Sequence, residues 1–483
     1  MSRLLYLLLT TALMGMAFRA LAEVSPYPQA KGIEASPDYR VRAGGKDIFV
    51  HKTPAFSMTT FAFIGDAEVV VEVQRPIKAA VIRPLSLGIT ASVKADTLRF
   101  RISRPCCLAI EVDDDLRRPL FLFANAPEVN TPQRGTAGVH YFEGGKIHEV
   151  GRIELKSDET VYLAGGAVVR GVIRANHATG IRILGPGILD GSTRDKQRQS
   201  VMLTGCRDLE INGPIVLGSY GWSIVPRLSE NIRISNVKVV SWRDNDDGFD
   251  PDSSRHVTVE NCFFRTKDDC MAVKAHGHFG KDAAPSGKNP DSFNTEDVRV
   301  TKSTFWSSEW GHALTVGFAV SAPAIRNVVF EDCDIIKKEK GPAMSIDNHD
   351  LGLVENLRFE NIRIEDGCDK LLALKVAFSE YSADCPPEYF RNNAGRKAPN
   401  GEPWENILRE KRASKRGTIR NVLFKDIGVI GDRMPDSDIR GFSPMNEVSD
   451  IVFQNVTFQG QVLKSASEAI LRIRNATNVR FAE

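Results

Sequence analysis

The sequence carries almost no net charge, no dense cysteine framework and, beyond its first 22 residues, no apolar run long enough to span a bilayer. Lys and Arg number 63 against 61 Asp and Glu, a formal charge of +2. Arg3 and Arg19 belong to an N-terminal leader without acids, so the remaining chain holds 61 of each sign. A balanced surface gives no reason to expect a nucleic acid partner and only weak reason to expect a strongly anionic polymer. Eight cysteines over 483 residues are compatible with an oxidising compartment but too sparse to hold a fold together. Cys368 and Cys385 flank one loop as a candidate pair, and adjacent Cys106 and Cys107 have no assignment. Metal frameworks are missing too. A calcium loop centred on Gly248 would begin at Arg243 and end at Ser254, neither a suitable ligand there. His276, His278 and His312 lack a zinc geometry because the first two fall in a Gly-rich insertion. No metal and no cofactor are expected.

What is present begins with a secretory leader over residues 1–22: Arg3, the apolar run Leu4–Ala17, and the small-x-small site Ala20-Leu21-Ala22. It predicts a mature chain starting near Glu23, in the periplasm or secreted, with no membrane insertion. A chain of 483 residues is long for one compact core and points to two domains or an elongated repeat. Residues 23–145 read as short alternating runs broken by Gly, Pro and Asp, such as Val69–Val73, Leu98–Ile102 and Leu108–Val112. That pattern predicts a small antiparallel β-sandwich. It holds no catalytic constellation.

After Gly144 the texture changes. A unit of Asn or Asp, an aliphatic residue and an alternating strand recurs, as in Asp208-Leu209-Glu210-Ile211, Asn231-Ile232-Arg233-Ile234 and Asn327-Val328-Val329-Phe330. Ten copies start at Gly180, Asp208, Asn231, His256, Asp297, Asn327, Asn356, Asn421, Asp450 and Asn478. The steps Leu209 to Ile232 and Ile232 to Val257 are 23 and 25 residues, right for a solenoid coil and too short for a strand plus helix. The prediction for residues 146–483 is a right-handed parallel β-helix, making the chain all-β. Two longer steps fall over His276–Glu296 and Glu380–Thr418. These insertions are expected to wall a cleft, and the second has room for one more coil because Leu371–Val376 reads as a strand.

Chemistry concentrates between Asp244 and Lys274. Asp247 and Asp268 lie 21 residues apart, about one coil, and Asp269 follows directly. Stacked strands would bring these carboxylates to within roughly 4.8 Å of the neighbouring rung. Like charges that close cannot all ionise freely, so one acid is driven to keep its proton while another remains a base. Such a pair is what cleavage of a glycosidic bond requires. Second strands on consecutive rungs read Tyr220–Ile224, Asp246–Asp250, Asp268–Ala272, Gly311–Thr315 and Gly341–Ser345. They would gather an aromatic, several carboxylates and His312 on one strip. Asp244, Asp246 and Asp252 fit turn capping instead.

Asn245-Asp246-Asp247-Gly248-Phe249-Asp250, Asp268-Asp269-Cys270 and Gly311-His312-Ala313 resemble the three ordered motifs of glycoside hydrolase family 28, the polygalacturonase family. Ser219-Tyr220-Gly221-Trp222-Ser223-Ile224-Val225-Pro226 is similar to a fourth segment of that family, and the resemblance spans about residues 150–480. A β-sandwich ahead of the helix is more similar to family 49, the dextranases. The resemblance implies a hydrolase that inverts the anomeric carbon of an α-linked polysaccharide or oligosaccharide. In it Asp268 is the general acid, Asp247 and Asp269 hold and deprotonate the attacking water, and His312 tunes the acid or meets substrate. Asp250 supports the first rung.

Where the family places Arg-x-Lys to bind a galacturonate carboxylate, this chain reads Met344-Ser345-Ile346, leaving Lys274, Lys375 and His349 as substitutes. With Trp222 and Asp250 these complete the candidate substrate contacts. Ser308 stands at the family's half-cystine position, so Cys270 is read as a buried thiol. Three alternatives remain at this point: a dextranase-type hydrolase of a neutral glucan, a lyase on the same fold, and a non-catalytic polysaccharide-binding β-helix. Sugar identity, endo or exo action and oligomeric state are open.

Overall fold

The computed structural model describes residues 22–193, 199–276, 293–365, 369–379, 382–385, 401 and 413–482. The leader up to Leu21, Cys368, His278 and most of both insertions lie outside the described residues. The chain forms two compact units, one of residues up to Arg83 with Leu87–Val129, the other of Pro84–Ser86 with the chain from Asn130 onward.

The first unit is a sandwich of two sheets. One contains Glu23–Pro26, Val50–Lys52, Ser57–Ile64, Ala80–Arg83, Cys106–Val112 and Leu120–Asn125; the other contains Tyr39–Ala43, Lys46–Ile48, Ala67–Val73, Ser92–Lys94 and Thr97–Ile102. Alternation decides which side faces in: Tyr39, Val41 and Ala43 are buried while Arg40 and Arg42 are exposed. Val41, Val69 and Val71 from one sheet share a core with Phe61, Leu108, Ile110 and Leu122 from the other. The pairings are antiparallel except one, since Leu120–Asn125 runs parallel to Ser57–Ile64.

The second unit is a right-handed parallel β-helix. Its coils are already in place at Val139–Phe142, which pairs in parallel with Thr160–Leu163. Stacked aliphatic rows fill the interior, for example Leu209, Ile232, Val257, Val298, Val328 and Leu357. The repeating Asn or Asp has a local cause. All ten lead residues occupy left-handed backbone, with φ between 49° and 72°, a conformation that Gly, Asn and Asp adopt at least cost. Their side chains then form a ladder along the helix axis: the Asn231 amide donates to Asp208 at 2.9 Å, Asn327 to Asp297 at 2.9 Å and Asn421 to Asn356 at 2.7 Å. Towards the C-terminus Phe330, Phe359, Phe424, Phe453 and Phe481 stack face to face, with centroids 4.9 to 5.2 Å apart.

One face carries Met271–Ala275, Leu314–Val320, Pro342–Asn348, Lys370–Val376, Asp436–Arg440 and Leu471–Arg474 as a continuous parallel ladder. The strand expected at 371–376 thus belongs to this face and adds no extra coil. Leu353–Ile364 pairs directly with Thr418–Val429, so the long step is an insertion within a single coil. Among the described residues no helix is long and apolar enough to cross a membrane.

Candidate active site

Backbone register brings the three carboxylates together. Phe249 bridges Met271, and Met271 pairs with Leu314, so Asp247, Asp269 and His312 share one row while Asp246, Asp268 and Gly311 share the next. On the preceding rung Ile224 pairs with Phe249, which sets Trp222, rather than Gly221, level with Asp247. That is a one-residue slip from the register expected of the sequence.

Two devices lock these rows. Asp246 accepts from the backbone nitrogens of Lys267 and Asp268, both at 2.8 Å, and from that of Arg243 at 2.9 Å. It therefore caps both turns, as its type suggested. Gly311, at φ +54°, leaves no room for a side chain: a Cβ there would stand 2.3 Å from the Asp269 nitrogen. His312 can then follow Asp269 closely.

One oxygen from each of Asp247, Asp268 and Asp269 lies within 4.8 Å of the others. The three acids are not equivalent. Burial, then the charges of Asp247 and Asp269, push Asp268 up to about 8. Burial would raise Asp269 too, but it is held below the usual carboxylate range by bonds to the His312 ring and backbone. Its Oδ1 accepts from the His312 nitrogen at 2.7 Å, His312 Nδ1 at 2.9 Å and the Thr315 hydroxyl at 3.3 Å. Asp247 is raised by burial against the opposing pull of Lys274. One neighbour keeps its proton near neutrality while another stays ionised.

Lys274 is the cation beneath the group. Its Nζ is 2.6 Å from Asp247 Oδ2, 2.6 Å from Asp250 Oδ1 and 3.6 Å from the Trp222 ring centroid. Burial opposes the charge on Lys274, but these carboxylates more than offset it and raise its pKa. The same three Asp oxygens are close enough to reach one metal cation, yet Asp247 already faces an ammonium. Asp250 is fully buried, pushed well above the carboxylate range by burial, and is not part of the lining of the cleft over the three acids. Cys270 is a buried thiol 3.2 Å from the Thr266 hydroxyl.

A cleft of about 920 Å³ opens over the acids, lined also by Trp222, Lys274, Trp310, His312 and Phe318. His349 and Lys375 are not part of its lining. They gather round buried Asp347 instead, His349 Nε2 at 3.8 Å and Lys375 Nζ at 3.7 Å. The Phe318 ring stands between the two groups, 5.6 Å from His312 and 5.1 Å from His349. Trp222 is half-buried with Lys274 over its ring, whereas Trp310 is 52 % exposed on the cleft wall. Trp310, Phe318 and Arg227 were missed from sequence. Trp310 stands two residues before His312 and Arg227 directly after Pro226, so adjacency to the motifs was the available signal.

Residues 158–373 match the model for glycosyl hydrolases family 28. The match falls within the coiled unit. Asp247, Asp268, Asp269 and His312 all lie within the matched segment. The chain is similar to "Probable endopolygalacturonase D" of Aspergillus flavus, 27% identical over 218 residues, which is 45% of this chain and 34% of that protein. It is also similar to "Probable endo-xylogalacturonan hydrolase A" of Neosartorya fischeri, 24% identical over 47% of this chain and 57% of the relative. The chain thus spans less than two thirds of either relative's length. In fold it is similar to Dex49A from Penicillium minioluteum, with a TM-score of 0.63 and 14% identity, covering 95% of this chain and 96% of that one. Polygalacturonase from Erwinia carotovora ssp. carotovora gives a TM-score of 0.52 at 14% identity, over 74% and 99% of the two chains. The first likeness extends across the sandwich as well as the coils.

Proposed function

We propose that this protein is a secreted glycoside hydrolase that cleaves α-linked polysaccharide or oligosaccharide chains with inversion. The observation that carries the reading is the split in proton affinity between Asp268 and Asp269, adjacent acids at the floor of one cleft. Asp268 holds a proton near neutral pH and gives it to the departing glycosidic oxygen. Asp269 and Asp247 each keep an oxygen clear of the bonds to His312 and Lys274, so a water can be shared between them. As the bond from the anomeric carbon to that oxygen breaks, they orient the water that bonds to the same carbon from the opposite face and take up its proton. His312 keeps Asp269 ionised by donating Nδ1–H, which fixes its tautomer. Lys274 balances the charge at Asp247 and holds it in place. No metal enters the scheme.

Stereochemistry tests the sharing of water. Closely spaced carboxylates also suit a covalent intermediate, with about 5–5.5 Å between carboxyl groups in retaining enzymes against about 6.5–9.5 Å in inverting ones. A nucleophile, however, acts alone, whereas here two ionisable oxygens face the same space. The experiment is release of reducing ends from a panel of polygalacturonate, dextran and branched pectins, with fresh product read by NMR. Inverted product, lost in Asp268→Asn, is expected. Retained product rejects the water-sharing assignment, and unsaturated product means a lyase.

A further inference from the structure

We infer that the sugars on either side of the cleaved bond are uncharged; this deepens the hydrolase reading above and rests on it. The cleft floor and rim present five carboxylates: Asp244, Asp247, Asp252, Asp268 and Asp269. Each cation among the described lining residues is already matched to a carboxylate of the protein. Lys274 lies 2.6 Å from Asp247 and 2.6 Å from Asp250, and Arg227 lies 3.3 Å from Asp252. His276 is 3.1 Å from the same Asp252, and His312 is 2.9 Å from Asp269. The nearby pair Lys375 and His349 stands outside the cleft lining, 3.7 and 3.8 Å from Asp347.

A uronate brings one carboxylate per ring into this surface. To bind, it must compete with an internal carboxylate for every one of these cations, and prising away Lys274 leaves Asp247 and Asp250 buried without a counter-charge. It must also approach acids that already repel one another. A neutral ring meets no such conflict. Its hydroxyls can donate to the carboxylates, and its C–H face can lie on Trp310, half-exposed in the wall, or on Phe318 in the same lining. The backbone of Trp310 is fixed for that purpose, its nitrogen bonded to the Lys267 carbonyl at 2.8 Å and its carbonyl accepting from the Ser307 hydroxyl at 3.2 Å.

The decisive comparison is polygalacturonate against the same polymer with its carboxyls reduced to alcohols, with dextran as an unrelated neutral α-glucan. The expected result is cleavage of a neutral polymer with a kcat/KM at least about tenfold above that on polygalacturonate. Cleavage of polygalacturonate at an equal or greater rate overturns the inference. Should no polymer be cleaved, the hydrolase reading fails on its own, and retention of Asp268→Asn in gels cast with each polymer decides the charge preference. Retention by a neutral polymer and not by polygalacturonate upholds it; retention by polygalacturonate, or by none of the three, overturns it.

Discussion

Replacing Asp268 by Asn should abolish turnover and, at alkaline pH, make the protein more stable. The amide keeps the shape and still accepts from the Asp269 nitrogen, a bond of 2.9 Å in the native chain. What it removes is an ionisation. In the unfolded chain Asp268 loses its proton near the ordinary value of 3.8, whereas the folded cleft holds it up to about 8. Between those values the folded state binds a proton that the unfolded state has released, so this group's contribution to stability falls as pH rises and is gone above about 8. Each tenfold in proton affinity is worth about 1.4 kcal/mol, so ionising Asp268 beside Asp247 and Asp269 costs several kcal/mol. The assay is thermal melting of both proteins across the pH range. The two should melt within about a degree or two of each other near pH 5, and the variant should melt several degrees higher near pH 9. A melting difference that stays constant with pH, or that favours the native protein when alkaline, refutes the view that these acids are packed against their own ionisation. So does a variant that keeps native turnover.

Lys274→Met should destabilise by about 3–5 kcal/mol, because two buried carboxylates lose their counter-ion; urea unfolding reads this, and an unchanged midpoint would mean that the ammonium is dispensable to the fold. Phe359→Ala opens a hole between Phe330 and Phe424 in the stacked column and should cost about 3–5 kcal/mol in the same assay. A loss below about 1 kcal/mol would show that the column closes over the gap.

The coil architecture was legible because its cause is local. A left-handed turn recurs at every corner, and Asn, Asp and Gly tolerate it, so the spacing of Asn231, Asn327 or Asn421 writes the coil into the sequence. The stacking of Asp247 with Asp269 and His312 followed from the same spacing. What failed was finer than one coil. Nothing in Tyr220–Ile224 reveals that Trp222, and not its neighbour, stands level with Asp247, since a slip of one residue depends on how two loops close. Lys274 and Lys375 read as available cations because ion pairing between coils is invisible along the chain; in the fold each faces an aspartate of the preceding rung, while His349 faces Asp347 two residues before it. Trp310 escaped notice because exposure, not identity, marks it.

The Asn and Asp ladder bears on how such a coil can accept new segments. Coil height is set at the corners and in the apolar interior, where Asn421 meets Asn356 directly although 65 residues separate them in sequence. A segment of that length can therefore be spliced between two rungs without shifting the rung above it. The acids at the cleft floor would stay in register through such exchanges. Evolution, or an engineer, can trade loops on this scaffold with the proton chemistry left untouched.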